Sequence, residues 1–208
     1  MRATPITILA ASIGAAALFI GACTPKTKLG ASWRDPDYTK GRIKKIFVLG
    51  IAVDEERRKV FENQFVTTFR NAGVAAEASH TLIPGETQPT KELIVATLEG
   101  KGFDAVIVTR LIDVDLNYNR SPGGYYALPA DYYNSLYGYY GQAYQVIQAP
   151  DYVEYKAVYS LETNLYEYAS EKLIWTVQSQ AVRKESAYDS IRTFTSKVFE
   201  RLKKDGFV

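Results

Sequence analysis

One cysteine, one histidine and one methionine occur in 208 residues. A lone thiol cannot close an internal disulfide, and a zinc site of cysteine and histidine has too few ligands to form. His80 stands without such companions at the start of a loop and reads as a structural or incidental surface residue. Charge of one sign is scarce too. Twenty-five basic side chains face 23 acidic ones, a net of +2, so no general attraction to nucleic acid is expected. Two local basic clusters, Arg42, Lys44, Lys45 and Arg201, Lys203, Lys204, border regular elements. They read as solvated faces, with a role toward anionic lipid or a partner as the alternative.

Phosphate and nucleophile signatures are missing as well. Gly50 opens no Gly-x-Gly-x-x-Gly turn, and Asp54, Glu55 and Glu56 follow where a nucleotide fold would receive its phosphate. Acids there repel the ligand. Neither Ser-x-x-Lys nor Gly-x-Ser-x-Gly occurs, which removes the usual serine signatures. The reading is of a non-enzyme with no catalytic residue, cofactor or metal. The rival reading is an envelope hydrolase using Asp113 and Asp115, which share a strand face; with Arg110 one residue off that face, a local ion network accounts for them more simply.

What is present begins at the start of the chain. Arg2 precedes an apolar run over residues 6–20, then Gly21, Ala22 and Cys23. A short basic start, an apolar core and small residues before a cut have the shape of an export signal, and the run is short for a hydrocarbon layer of about 30 Å. An uncleaved membrane helix is the plainer alternative. Ile20-Gly21-Ala22-Cys23 resembles the lipobox of bacterial lipoproteins, which implies cleavage after residue 22 and a diacylglyceryl group on Cys23. Membrane lipid is then the partner through acylated Cys23, because several acyl chains on one residue make a stable anchor. Thr24 is not the aspartate that typically retains a lipoprotein in the inner membrane, so the resemblance points to the outer membrane, on its periplasmic side.

Residues 24–41 mix Pro, Gly, Lys and Asp without apolar periodicity, so 23–41 reads as a lipidated tether. Trp33 and Tyr38 are expected to pin its end to the domain. Residues 42–208 then read as one α/β domain, a single mixed-sheet sandwich. A strand over 43–52 leads to a helix over 54–72 with Phe61, Phe65, Phe69 and Ala72 inward and Val60 and Val66 widening the stripe. A short strand over 74–78, a helix over 90–99 with Leu93, Ile94 and Leu98 inward, and a strand over 103–109 complete the strand-helix-strand-helix-strand half. Residues 105–108 are apolar on both sides, as in a parallel strand under helices. Alternation over 153–165 and again over 173–181 predicts an antiparallel hairpin with one face buried and Glu162, Asn164 and Gln178 on the other. Ser186, with Asp189 three residues on, caps a closing helix over 187–204. Both long helices should lie on the side of the hairpin's odd residues.

Between the halves, residues 117–150 have no continuous period, and eight of the sixteen tyrosines fall in 125–144. Tyr125, Tyr126, Tyr132, Tyr133, Tyr137, Tyr139, Tyr140 and Tyr144 stand beside Gly123, Gly124, Gly138 and Gly141. So long a connection is unusual in a compact domain. Tyrosine supplies amphipathic area at low entropic cost and glycine lets the backbone adapt, a combination used in recognition loops. The eight tyrosines are the candidate contacts for an envelope protein, a lipid headgroup or a glycan; a passive arm, or a flap folded onto its own sheet, is the alternative. Nucleic acid is not expected, since Arg120 is the one cation in the segment.

Trp33-Arg34-Asp35-Pro36-Asp37-Tyr38, KKIFVLGIAVDEERRKVFENQF, VTRLIDVD at 108–115, the Tyr/Gly loop, LETNLY at 161–166 and KLIWTVQSQ at 172–180 together resemble a family of small uncharacterised bacterial lipoproteins. More distantly, the element order is similar to the α/β domain of curli-secretion-type pore lipoproteins and of lipoprotein activators of penicillin-binding proteins. The resemblance implies an assembly or accessory role and carries over no catalytic residue. The Tyr/Gly stretch lacks the clean alternation of a membrane-crossing hairpin, which argues against a pore.

Overall fold

The computed structural model describes residues 27–52, 54–83, 85, 89–115, 135–139, 158–182 and 186–208. In chain order these form β1 (Thr27–Arg34), β2 (Lys45–Ile51), α1 (Glu55–Asn71), β3 (Ala75–Ala78), α2 (Ser79–Leu82), α3 (Lys91–Leu98) and β4 (Ala105–Asp115). A helical turn over 136–139, α4, precedes β5 (Val158–Glu167), β6 (Leu173–Val182) and α5 (Ala187–Lys204).

Helix starts follow from their caps. Asp54 accepts the Arg57 N–H at 3.0 Å, and Glu55 and Glu56 in the first turn meet the positive end of α1. Thr90 caps α3 through the Leu93 N–H, and Ser186 caps α5 through the Asp189 N–H, both at 3.3 Å. Past the end of α1, Gly73 takes φ 82°, a left-handed conformation that costs glycine little.

The six strands form one mixed sheet in the order β1-β6-β5-β4-β2-β3. β2 pairs parallel with both β3 and β4; all other pairs are antiparallel. Successive strand residues face opposite sides, so the sheet has two cores. On one side Ile46, Val48, Ile107, Leu165, Trp175 and Val177 meet Phe65 and Phe69 of α1 and Phe194, Val198 and Leu202 of α5. Both long helices therefore cover the hairpin's odd residues, as the alternation predicts. On the other side Phe47, Leu49, Val106, Val108 and Tyr166 meet Ile94 and Leu98 of α3 and Leu136, Tyr137 and Tyr139. Full burial of each large side chain contributes about 2–3 kcal/mol, so the two clusters dominate the stability of the sheet.

Four expectations need correction. Residues 27–34, read as tether, form the edge strand β1 against β6, with Thr27 opposite Ala181 and Arg34 opposite Trp175. The C-terminal segment holds them there: Ser32 Oγ donates to Asp205 Oδ2 at 2.6 Å, Arg34 donates to the Asp205 carbonyl, and Tyr38 stacks on Phe207 at 5.4 Å. Tyr38 thus pins the segment, whereas Trp33 is exposed. Second, the hairpin is buried on both faces over residues 162–167, because residues 136–139 cover the face that alternation assigns to solvent. Third, Leu93 and Val60 are exposed; each sits one residue, about 100° around the helix, before the inward Ile94 and Phe61. Ala72, beyond the last turn of α1, is exposed as well. Fourth, His80 belongs to the single turn α2 rather than to a loop.

Candidate functional site

Register fixes one end of the sheet as a common meeting place. Thr27 lies opposite Ala181, Ala181 opposite Tyr159, and Tyr159 opposite Val114. β1 and β5 begin at this end and β4 and β6 finish there; β2 and β3 run toward it and stop short, with Ile51 opposite Arg110 and Ala78 opposite Val48. In open sheets with parallel strands, ligand sites gather where those strands end, and two buried polar clusters lie at the level of Gly50 and Arg110, near the end of β2, one on each face.

The first cluster sits under α1. Glu62, fully buried, receives the Gly50 N–H on Oε1 at 2.8 Å and the Ser79 hydroxyl on the same oxygen at 2.6 Å. Its Oε2 receives the His80 N–H at 3.1 Å and lies 2.8 Å from His80 Nδ1. With its proton on Nδ1, the ring is a fourth donor. Arg58, also buried, reaches Ser79 Oγ at 3.3 Å and forks onto Glu55 with two bonds of 2.8 Å. Side chains of α1 pack directly on Gly50, where a Cβ would stand in van der Waals contact, 3.4 Å from Arg58, Phe61 and Glu62. Serine, histidine and an acid thus meet, yet Ser79 Oγ donates to Glu62 rather than to the imidazole, unlike the relay of a serine nucleophile. The carboxylate joins the ends of β2 and β3 to α1.

The second cluster lies on the opposite face. Arg110 Nε donates to Glu162 Oε2 at 2.9 Å, and the Tyr139 hydroxyl donates to the same oxygen at 2.9 Å. All three are buried, with the Arg110 guanidinium 5.6 Å from the Tyr139 ring centre. Tyr139 also packs on Tyr166 at 6.0 Å. Burial, and next the Glu162 charge, push the Tyr139 hydroxyl well above the usual tyrosine range. Beside it, burial pushes Tyr137 up to about 12, and Lys91 Nζ lies 5.0 Å from its ring.

The site residues read from the sequence therefore separate. Tyr137 and Tyr139 sit inside the second core rather than on an exposed contact surface, because an aromatic ring over Tyr166 and a hydroxyl on Glu162 gain more from burial than from water. Tyr125, Tyr126, Tyr132, Tyr133, Tyr140, Tyr144 and the lipidation candidate Cys23 lie outside the described residues. Asp113 is exposed, beyond a register shift between Leu111 and Asp113. The side chain of Asp115 is outside the described residues, and Arg110 pairs with Glu162 of the neighbouring strand. Among the described residues no three His, Cys, Asp or Glu converge as a metal site.

No family model matches the chain. No curated protein matches it either. Solved structures similar to it include the PelC dodecamer from Paraburkholderia phytofirmans, at 10% identity and a TM-score of 0.45 over 83% of this chain and 95% of that one. Lipoprotein GNA1162 from Neisseria meningitidis is similar at 12% identity and 0.39, over 77% and 98%. Protein XCC0632 from Xanthomonas campestris is similar at 8% and 0.35, over 84% and 89%. At these values the functional reading rests on this chain's own residues.

Pattern reading missed Arg58, Glu62 and Glu162. A signal existed for the first two: positions 58, 62, 65 and 69 follow one another at three- and four-residue steps, so two charged side chains stand on the inward line of α1. Glu162 gave none, since a charged residue on the polar face of an alternating strand looks solvated.

Proposed function

We propose that this chain is a lipid-anchored protein of the bacterial envelope with a non-enzymatic accessory or binding role, held on the periplasmic side of the outer membrane. The observation that carries the reading is the placement of Ile20-Gly21-Ala22-Cys23 four residues ahead of the rigid edge strand β1. An acylated Cys23 makes lipid the first partner. No helix among the described residues is long and apolar enough to cross a membrane. The binding role falls to the Tyr/Gly segment 117–150: two of its tyrosines are spent on the core, which seats the segment, and Tyr125, Tyr126, Tyr132, Tyr133, Tyr140 and Tyr144 are left to contact an envelope protein, a lipid headgroup or a glycan. The non-enzymatic part is supported by buried charges that serve structural pairs and by the exposure of Asp113.

Metabolic labelling with a palmitate analogue tests the anchor. The wild-type chain should be labelled and Cys23→Ser should not; equal labelling of the two would refute the proposal.

A further inference from the structure

Asn164 of β5 belongs to neither polar cluster. It is fully buried, and its Nδ2 has no hydrogen-bond partner among the described residues. A buried donor without an acceptor is costly, so the position favours a molecule that brings one. Asn164 Oδ1 accepts the Thr176 hydroxyl of β6 at 2.5 Å, which turns the amide toward that strand. Cover on the other side comes from Tyr139. It spans β5 from the Tyr166 ring, at 6.0 Å, to Glu162, at 2.9 Å, and lies 5.6 Å from Arg110 of β4.

Register extends the row to the sheet edge. Asn164 lies opposite Thr176, and Thr176 opposite Trp33 of β1. Opposite residues of an antiparallel pair share a face, so the Trp33 ring stands on the same side as the amide. Trp33 is 47% exposed and Thr176 is half-buried. Two strand spacings, about 10 Å, separate Trp33 from Asn164. The row offers, in order, a flat aromatic ring, a hydroxyl oxygen and an amide donor at the covered end.

The chemistry of a fitting ligand follows from these groups. It has a flat apolar side for the indole and an acceptor for Asn164. It is also neutral. β6 carries no charged side chain, β1 has Lys28 alone on this face, Arg34 lies opposite Trp175 on the other, and Glu162 is paired with Arg110. An extended peptide would instead add to a sheet edge. At both edges a carbonyl is already taken: Arg201 donates to Gly30 beside the register shift of β1, and Arg70 donates to Ala76 of β3 at 2.9 Å. A sugar is apolar on its C–H side and rich in acceptors at its rim, and two rings match the length of the row.

We infer that Trp33, Thr176 and Asn164 form a binding site for a neutral glycan, with one ring stacked on Trp33 and an oxygen of the next accepting from Asn164 Nδ2. This site needs neither an acylated Cys23 nor the Tyr/Gly segment.

Ligand-detected NMR of the full chain in a glycoside-free detergent, with cellobiose and N,N′-diacetylchitobiose as probes, tests the site. At least one of the two should bind saturably, with the weak affinity of a small, shallow contact. Trp33→Ala and Asn164→Leu should each weaken it about tenfold or more. Tyr188→Ala, which removes an exposed aromatic on α5 at the other face, should leave it unchanged. Circular dichroism checks the fold of Asn164→Leu, and if that variant does not fold, Trp33→Ala decides alone. Absence of saturable binding to the parent chain, binding undiminished in Trp33→Ala or in folded Asn164→Leu, or an equal loss in Tyr188→Ala overturns the site.

Discussion

Glu62 shows how much one buried side chain can organise. Three donors from two segments converge on its oxygens within hydrogen-bonding distance, and the His80 ring lies beside Oε2. A buried carboxylate is expensive to desolvate, and it is kept only where donors compensate it. Glu62→Gln keeps the volume but turns one acceptor into a donor aimed at other donors. Urea unfolding of a soluble chain beginning at Thr24 should show a loss of about 3 kcal/mol, with Asp113→Asn, at an exposed position, within about 0.5 kcal/mol of the parent. A Glu62→Gln midpoint equal to the parent's would mean the cluster does not hold the strand ends. Tyr139 is the counterpart on the other face, where its hydroxyl and Arg110 share Glu162 Oε2.

At the scale of elements, β1 is the part most at odds with its local sequence. Thr27–Arg34 offers Leu29 as its one large inward apolar residue, and a register shift between Leu29 and Ser32 breaks its alternation. Its place comes from the ladder with β6 and from α5, where Arg201 donates to Ser32 Oγ at 3.1 Å and Trp175 Nε1 donates to Asp205 Oδ2 at 2.7 Å. Removing residues 24–34 would uncover the β6 edge, and an unpaired edge recruits other strands. A chain beginning at Asp35 should lose about 2–4 kcal/mol relative to one beginning at Thr24 and scatter more light on concentration. Unchanged stability would restore the reading of 27–34 as tether.

For the whole molecule, the register gathers the start of β1, the end of β4 and the start of β5 at one end, so the Tyr/Gly segment leaves and returns on the side where the proposed anchor would lie. Contacts made by that segment should then be with neighbours close to the membrane. A photoreactive residue at Tyr133 or Tyr140 should give a specific adduct in cells, and one at Gln178 of β6 should not. A few tyrosine anchors can each contribute on the order of 2 kcal/mol, offset by the ordering of a long loop, so the affinity should be modest. If the tyrosine positions capture nothing above the Gln178 control, and a short Gly/Ser linker in place of 123–144 leaves folding and phenotype unchanged, the segment has no partner.

Much of the architecture was legible before any coordinates. The helices of 55–71, 91–98 and 187–204, their caps at Asp54, Thr90 and Ser186, the doubly buried strand of 105–108 and the hairpin all write their contacts into their own period, because each repeats one kind of neighbour at a fixed step. The proposal of an anchor at Cys23 rests on local sequence alone. Tertiary structure alone decided that 27–34 joins the sheet, that Glu162, Asn164 and Tyr166 are covered, and that Tyr137 and Tyr139 do the covering. Periodicity records which face of an element is apolar, but cover supplied by a distant segment through hydrogen bonds and aromatic rings leaves the polar residues beneath it looking solvated.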